Sequence, residues 1–212
     1  MTVHGIPDVL DHLVYATPDL AGTVADFTRR TGVAPVAGGA HPDRGTANYL
    51  VGLGGRSYLE IIGPDPGQPE PARPRPFGLD GLTAAKVVTW AIRPADVDAT
   101  VARARQRGYD PGEVRPLSRR RPDGSLLEWR LTPSEDAHPS GLVPFLIDWG
   151  DAAHPTAAGL PETPLTALTA QAPDPVEIAS LLAAVDVGLP VRTGPLGLTF
   201  TIDTPNGPVT VA

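Results

Sequence analysis

The chain has no cysteine. Disulfides, thiolate metal ligands and a thiol nucleophile are therefore excluded. Lysine is nearly missing too, Lys86 being the single one, and 17 Lys and Arg face 24 Asp and Glu for a formal net charge of -7. Phosphate backbones select clustered cations, so nucleic acid is not an expected partner. The one basic run, Arg119-Arg120-Arg121, is short and reads as loop with a solvated face, anion binding being its other reading. No apolar run approaches the roughly 18 residues of a membrane span, and Met1-Thr2-Val3-His4 does not begin like a signal peptide. A cytoplasmic protein without membrane contact is expected.

What is present is ordinary for a folded chain: 212 residues, 41% hydrophobic and 19% charged, enough for one or two domains with a substantial core. Abundant Ala, Gly, Pro and Arg beside a lone lysine suggest a GC-rich bacterial source.

One local grammar recurs. Leu10 to Ala16 reads as a buried strand, Pro18 ends it, Asp19 caps a helix with Leu20, Val24 and Phe27 on one face, and Gly32 closes that helix. Val87 to Ile92, Pro94, the face Val97, Val101 and Ala104, and Gly108 repeat it. A looser third copy runs from Leu165 through Asp174-Pro175-Val176-Glu177 and the face Ile178, Leu181, Leu182 and Val185 to Gly188. Each copy takes roughly 14–15 residues from proline to glycine, which points to duplication of one supersecondary unit.

Between the first two helices, Val33–Val36 predicts a short strand, and Gly38 to Thr46 a loop. Ala47–Leu53 and Ser57–Ile62 then predict a hairpin about Gly54-Gly55. The unit is β-α-β-β-β. The second unit continues with a weak strand near Glu113–Arg115 and arms at Ser125–Thr132 and Leu142–Trp149. These boundaries give a first βαβββ module over 1–66, a Pro-rich extended linker over 67–85, and a second βαβββ module over 86–150. Residues 151–212 form a linker and a C-terminal β-α-β-β extension packed on the same domain.

Strand alternation places His12 on a face with Leu10, Val14 and Ala16, and Glu60 on a face with Tyr58 and Ile62. A carboxylate on an apolar strand is costly unless paired or bound to a metal, and an imidazole opposite it is a natural co-ligand for Zn, Fe, Ni or Mn. A plain His12–Glu60 hydrogen bond, or a Glu60 facing solvent from an edge strand, fits the same pattern.

Asp11-His12-Leu13-Val14-Tyr15-Ala16 followed by Pro18-Asp19-Leu20, the stretch His41 to Asn48, and Tyr58-Leu59-Glu60-Ile61 resemble the glyoxalase-like branch of the vicinal oxygen chelate superfamily. The resemblance covers residues 8–150, with Pro144 to Trp149 similar to that branch's second half. It implies an α+β fold in which paired βαβββ modules form a cupped mixed β-sheet. A divalent metal inside the cup chelates two neighbouring oxygens of a small oxygenated substrate, as a Lewis acid or, when it is iron, by activating dioxygen. Carried across, His12 and Glu60 match metal ligands of the first module. The second module departs, with Val88 and then Phe145, Leu146 and Ile147 where further ligands would stand. His41 is the obvious substitute third ligand, which would complete a two-His, one-carboxylate set with open positions; a surface-loop histidine before proline is its other reading, and Asp148 is a weaker candidate.

Around this set, Glu60 and Glu128 are candidate acid/base groups, and Arg44, Asn48, Trp90 and Trp149 candidate substrate contacts. Solvent exposure explains Arg44 and Glu128 as well, a turn-fixing role Asn48, and core packing the tryptophans, Trp129 included. His138 and His154 show no clear partner. Two functional classes follow. One is a metal-dependent lyase, isomerase or dioxygenase of a small molecule; the other is a metal-free binding or sequestering protein on the same fold. Both modules lie in one chain, so the cup can form in a monomer, with a homodimer as the other state.

Overall fold

An aspartate starts each of the three long helices. In the computed structural model, which describes residues 6–42, 44–133 and 135–212, Asp19 accepts the Gly22 amide ahead of α1 (Leu20–Thr31). Asp96 does the same for Ala99 ahead of α2 (Val97–Gln106), and Asp174 for Val176 and Glu177 ahead of α3 (Pro175–Ala184). Each cap satisfies amides that a first turn leaves without an acceptor. Phe27, then Val97, Val101 and Ala104, then Ile178 and Leu182 are the buried faces, as the spacing predicts. Gly32 caps α1 at φ 75. Beyond α3 the left-handed residue is Asp186 at φ 60, not Gly188, and its carboxylate is held by Arg103 of α2 and by Arg107, the residue that caps it. The Met1–His4 start, Asp43 of the predicted loop and Ser134 lie outside the described residues.

The first module contains β1 (Leu10–Ala16), β2 (Val36–His41), β3 (Thr46–Gly54) and β4 (Ser57–Pro64). The second contains β5 (Lys86–Ile92), β6 (Arg115–Arg120), β7 (Leu126–Leu131) and β8 (Phe145–Asp148). In both, the first strand pairs parallel with the fourth and the remaining pairs are antiparallel. β1 and β5 pair antiparallel along their length, while β2 and β6 meet at Ala40 and Arg120, so the eight strands curl into a closed barrel. This is the cupped mixed sheet of the predicted α+β fold.

The strand β2 differs from expectation, because it lies later and runs through Gly38 and Gly39, which composition assigns to a loop. The reason is close approach. A Cβ on Gly39, whose φ is 132, would overlap the Arg120 carbonyl at the seam, and one on Gly38 would overlap the Asn48 side chain. Along β1 the register to β5 shifts between Leu10 and His12. That shift turns Leu10 outward with Leu13, leaving Val14 and Ala16 on the inner core.

The Pro-rich linker is not purely extended, since Pro76–Gly81 forms a 3-10 segment in which Phe77 takes φ 61. The C-terminal unit forms its own sheet from β9 (Leu165–Ala172), β10 (Val191–Thr193), β11 (Gly197–Ile202) and β12 (Val209–Val211), in the order β10-β9-β11-β12. Its helix grammar repeats the modules, but its topology does not: α3 returns the chain beside β9, so β9 is interior. Leu168, Phe200 and Ile202 join Trp90 and Leu146 in the outer core, and the segment before β9 touches β3 where the Gly52 amide donates to the Pro161 carbonyl at 2.8 Å.

Candidate active site in the barrel

Alternation on the inward face of each strand collects donors at one place. β1 contributes His12, β4 contributes Tyr58 and Glu60, β3 contributes Thr46 and Asn48, and the end of β2 contributes His41, all lining an internal cavity of about 70 Å³. His12 Nε2 stands 3.9 Å from Glu60 Oε2, and His41 Nε2 stands 3.8 Å from Glu60 Oε1. The three residues are at most 7% exposed.

The other imidazole nitrogens are engaged. His12 Nδ1 lies 2.7 Å from Asp11 Oδ1, and His41 Nδ1 lies 3.1 Å from Thr46 Oγ1. Asp11 is fully buried, which would raise its pKa, but hydrogen bonds from His12 and His154 outweigh burial and hold it well below the usual carboxylate range. A carboxylate only accepts, so His12 Nδ1 carries a hydrogen, and the ring is turned with Nε2 toward the cavity and Glu60. Burial pushes the His41 pKa down to about 4 against the pull of Glu60, so His41 is a neutral imidazole at pH 7. Burial also raises the Tyr58 hydroxyl pKa well above its ordinary value, so Tyr58 remains a phenol stacked on His12.

Glu60 Oε1 accepts from Asn48 Nδ2 at 2.5 Å, and Asn48 Oδ1 accepts from Arg119 Nη1 at 3.1 Å. A carboxylate, an amide and a guanidinium thus form one relay across the barrel floor. The second module supplies mostly apolar wall, with Ala91 opposite His12 and Leu117, Trp129, Phe145 and Ile147 around the cavity. Trp149 packs at 5.4 Å from Trp129 and donates its Nε1–H to Asp11 at 3.0 Å.

Other predicted residues lie elsewhere. Glu128 is exposed on the outer face of β7, because alternation turns Leu127, Trp129 and Leu131 inward. Trp90 is fully buried in the outer core and donates to the Leu142 carbonyl at 2.8 Å, because it lies opposite Leu13 on the side away from the cavity. Asp148 pairs with Arg130 at 2.6 Å and does not line the cavity. Arg44 sits at the mouth, ion-paired with Glu135 at 2.9 Å.

Arg119 and Trp129, which the sequence assigns first to a solvated loop and to core packing, line the cavity instead; alternation with Leu117 and Leu131 is the signal that places them there. His154 packs onto Asp11 at 3.2 Å from a site 143 residues away, a contact with no sequence signal.

Among the described residues no group of three His, Asp or Glu side chains stands close enough to hold an ion as placed. Neighbouring ligands on an ion at about 2.1 Å are ~3 Å apart, so each Nε2 would close on Glu60 by less than about 1 Å. The donor chemistry fits a divalent ion: two imidazoles whose Nε2 atoms face Glu60 and whose Nδ1 atoms have orienting partners, and one carboxylate.

A family model described as a glyoxalase-like domain matches residues 10–185. The chain belongs to the glyoxalase-like domain family. Membership places this glyoxalase-like chain in the vicinal oxygen chelate superfamily. A solved hypothetical protein from Staphylococcus aureus is 11% identical with a TM-score of 0.66, over 95% of this chain and 97% of that one. This likeness is one of fold alone. Methylmalonyl-CoA epimerase from Mycobacterium tuberculosis is 22% identical over 75% of this chain and 97% of that one, at a TM-score of 0.43. The Streptomyces coelicolor methylmalonyl-CoA epimerase in complex with 2-nitronate-propionyl-CoA is 26% identical over 69% and 97%, at 0.42. At those scores neither informs the site of the glyoxalase-like chain. No protein of curated function matches it.

Proposed function

We propose that the protein is a metal-assisted enzyme of the lyase, isomerase or dioxygenase type, acting on a small molecule with neighbouring oxygens. One observation carries the reading: the Nε2 atoms of His12 and His41 approach opposite oxygens of Glu60, at 3.9 and 3.8 Å, while their Nδ1 atoms are held by Asp11 and Thr46. His12, His41 and Glu60 are the residues that would hold the ion. Zn, Ni or Mn would supply Lewis-acid polarisation of the substrate oxygens, and Fe also dioxygen chemistry.

The chain's own residues do the rest. Glu60 takes or returns the substrate proton, with the Asn48 amide holding Oε1 so that Oε2 is the free atom. Trp149 and Trp129 wall the cavity and exclude water, and Arg44 guards its mouth.

The test is elemental analysis of purified protein after loading with Zn, Fe, Ni and Mn, beside His12→Ala and Glu60→Ala variants checked by circular dichroism. About one equivalent of metal, lost in both folded variants, supports the reading. No uptake by the parent overturns it. A second reading, a metal-free binding protein, is favoured by the apolar wall of the second module and by the wide donor spacing.

A further inference from the structure

Phe77 holds a backbone conformation that its side chain disfavours. Its φ of 61 and ψ of 18 lie in the left-handed region, and Gly78 follows it there at φ 66. Among the described residues other than glycine, only Asp186 shares a positive φ, and an aspartate tolerates that region better than an aromatic residue does. Such outliers persist only where their surroundings hold them, and they gather at sites that bind or switch. Here the surroundings form a clasp. Asp80 accepts the Arg75 backbone amide at 2.8 Å and the Arg75 guanidinium at 2.7 Å, which pinches together the two ends of the turn carrying Phe77. Leu79 is sunk into the inner core at 2% exposure. The tip of the turn stands clear, since a Cβ on Gly78 would meet nothing within 4 Å.

This turn lies on a boundary. The barrel cavity and a large outer groove bordered by β5 and β11 share four lining residues, Arg44, Pro76, Phe77 and Glu135, which are therefore the partition between them. Two of the four belong to the turn, and the other two complete the partition with their ion pair at 2.9 Å. On the cavity side Phe77 packs on Phe145 at 6.3 Å, and Phe145 in turn meets the His12 ring edge-on at 5.4 Å. We propose that Pro76–Gly81 is the lid of the barrel cavity, with Phe77 as its gate and Arg75–Asp80 as its latch, and that molecules pass from the outer groove toward His12 and Glu60 when the turn swings outward on the buried Leu79. Left-handed backbone disfavours the closed lid, while the latch and the Phe145 contact favour it, so opposing terms meet on one short turn. The Asp80 carboxylate is 44% exposed, and Arg75 keeps Glu70 and the Gly45 carbonyl when released, so opening the latch strands no charge. A closed lid keeps water from the donors inside, and an open one makes the groove their approach. The lid governs entry alone, and serves a metal enzyme and a metal-free binder alike.

Because the chain has no cysteine, a single introduced thiol reports on access without background. Ile147 and Leu146 are neighbours on β8 and equally buried, at 1% and 0% exposure, but Ile147 lines the cavity and Leu146 belongs to the outer core. The test times alkylation of Ile147→Cys and of Leu146→Cys in native protein by iodoacetamide, a small neutral reagent, with Ile62→Cys as a second cavity reporter from β4. With the lid intact the cavity thiols should react far more slowly than free cysteine. Gly78→Ala places its Cβ in open space, so its effect is confined to the cost of left-handed backbone in the closed lid. It is expected to quicken alkylation of the cavity thiols by about 5-fold or more. Asp80→Ala, which removes the latch, should quicken it by about 2–5-fold. Neither change should alter the rate in Leu146→Cys, which only unfolding exposes. Cavity thiols that react like free cysteine beneath an intact lid overturn the proposal, as does a rate that neither lid variant raises. Equal acceleration in Leu146→Cys overturns it too, since that is a loosening of the whole fold. Metal uptake enters none of these rates, so the enzyme reading stands or falls separately.

Discussion

His12 Nδ1 donates to Asp11 Oδ1 across 2.7 Å, while the other oxygen of the same carboxylate takes Arg93 at 2.6 Å, Trp149 at 3.0 Å and His154 at 3.2 Å. Asp11 is fully buried and is the hub that orients His12 with Nε2 toward the cavity. Asp11→Asn removes the negative charge from beneath Arg93 and lets the amide offer a hydrogen to Nδ1. Divalent-ion affinity is expected to fall by about 10–100-fold, read by calorimetry. Stability should fall by about 3–5 kcal/mol, the usual result of breaking a buried pair, read by urea unfolding. Unchanged metal affinity in a folded variant would remove Asp11 from the site.

His41 makes stability depend on pH in a defined window. Its pKa is about 4 in the folded protein against an ordinary 6.5, so between these values the unfolded chain binds a proton that the folded chain refuses. Stability is therefore lost as pH falls from 6.5 to about 4, on the order of 3 kcal/mol in total. Asp11 works in a lower window: its depressed pKa contributes stability above 3.8 that disappears as pH falls further. Urea midpoints between pH 7 and pH 4 should drop in the parent and stay flatter in His41→Gln. Parallel curves would contradict the assignment.

Gly39 holds the seam where β2 meets β6. A Cβ there would overlap the Arg120 carbonyl, and φ 132 is closed to L-residues with side chains. Gly39→Ala is expected to cost about 3 kcal/mol or more, with faster amide exchange at Ala40 and Arg120 than at the β1–β5 seam. Equal protection at the two seams would show that the barrel tolerates the side chain.

Glu128 and Trp90 separate surface from core. Glu128→Gln, on an exposed outward position, should change stability by no more than about 0.5 kcal/mol and leave ligand binding intact. Trp90→Ala empties a fully buried site and leaves the Leu142 carbonyl unpaired, at a cost of about 3–5 kcal/mol. A loss of metal uptake in folded Glu128→Gln would return that residue to the site.

Local signals carried far along this chain. Capping aspartates, terminating prolines and the i, i+4 spacing place the helices, because these effects act within one turn and need no tertiary partner. Period-2 alternation places Glu60 with Tyr58 and Ile62 on an inner face, because strand side chains alternate whatever the strand pairs with. Similar residues were misread where a distant neighbour decides. Gly38 and Gly39 look like loop, and become strand because Asn48 and the Arg120 carbonyl press against them.

The sequence by itself determined the modules and the chemistry on offer: duplicated strand–helix units, no thiol, and a histidine and a glutamate on apolar strands. Only the tertiary structure decided which groups meet. Barrel closure brings Arg119 to Asn48 across 71 residues and His154 to Asp11 across 143, and turns Trp90 and Glu128 away. Contacts over such separations depend on strand order and register, which are fixed by packing of the whole barrel rather than by any stretch of chain.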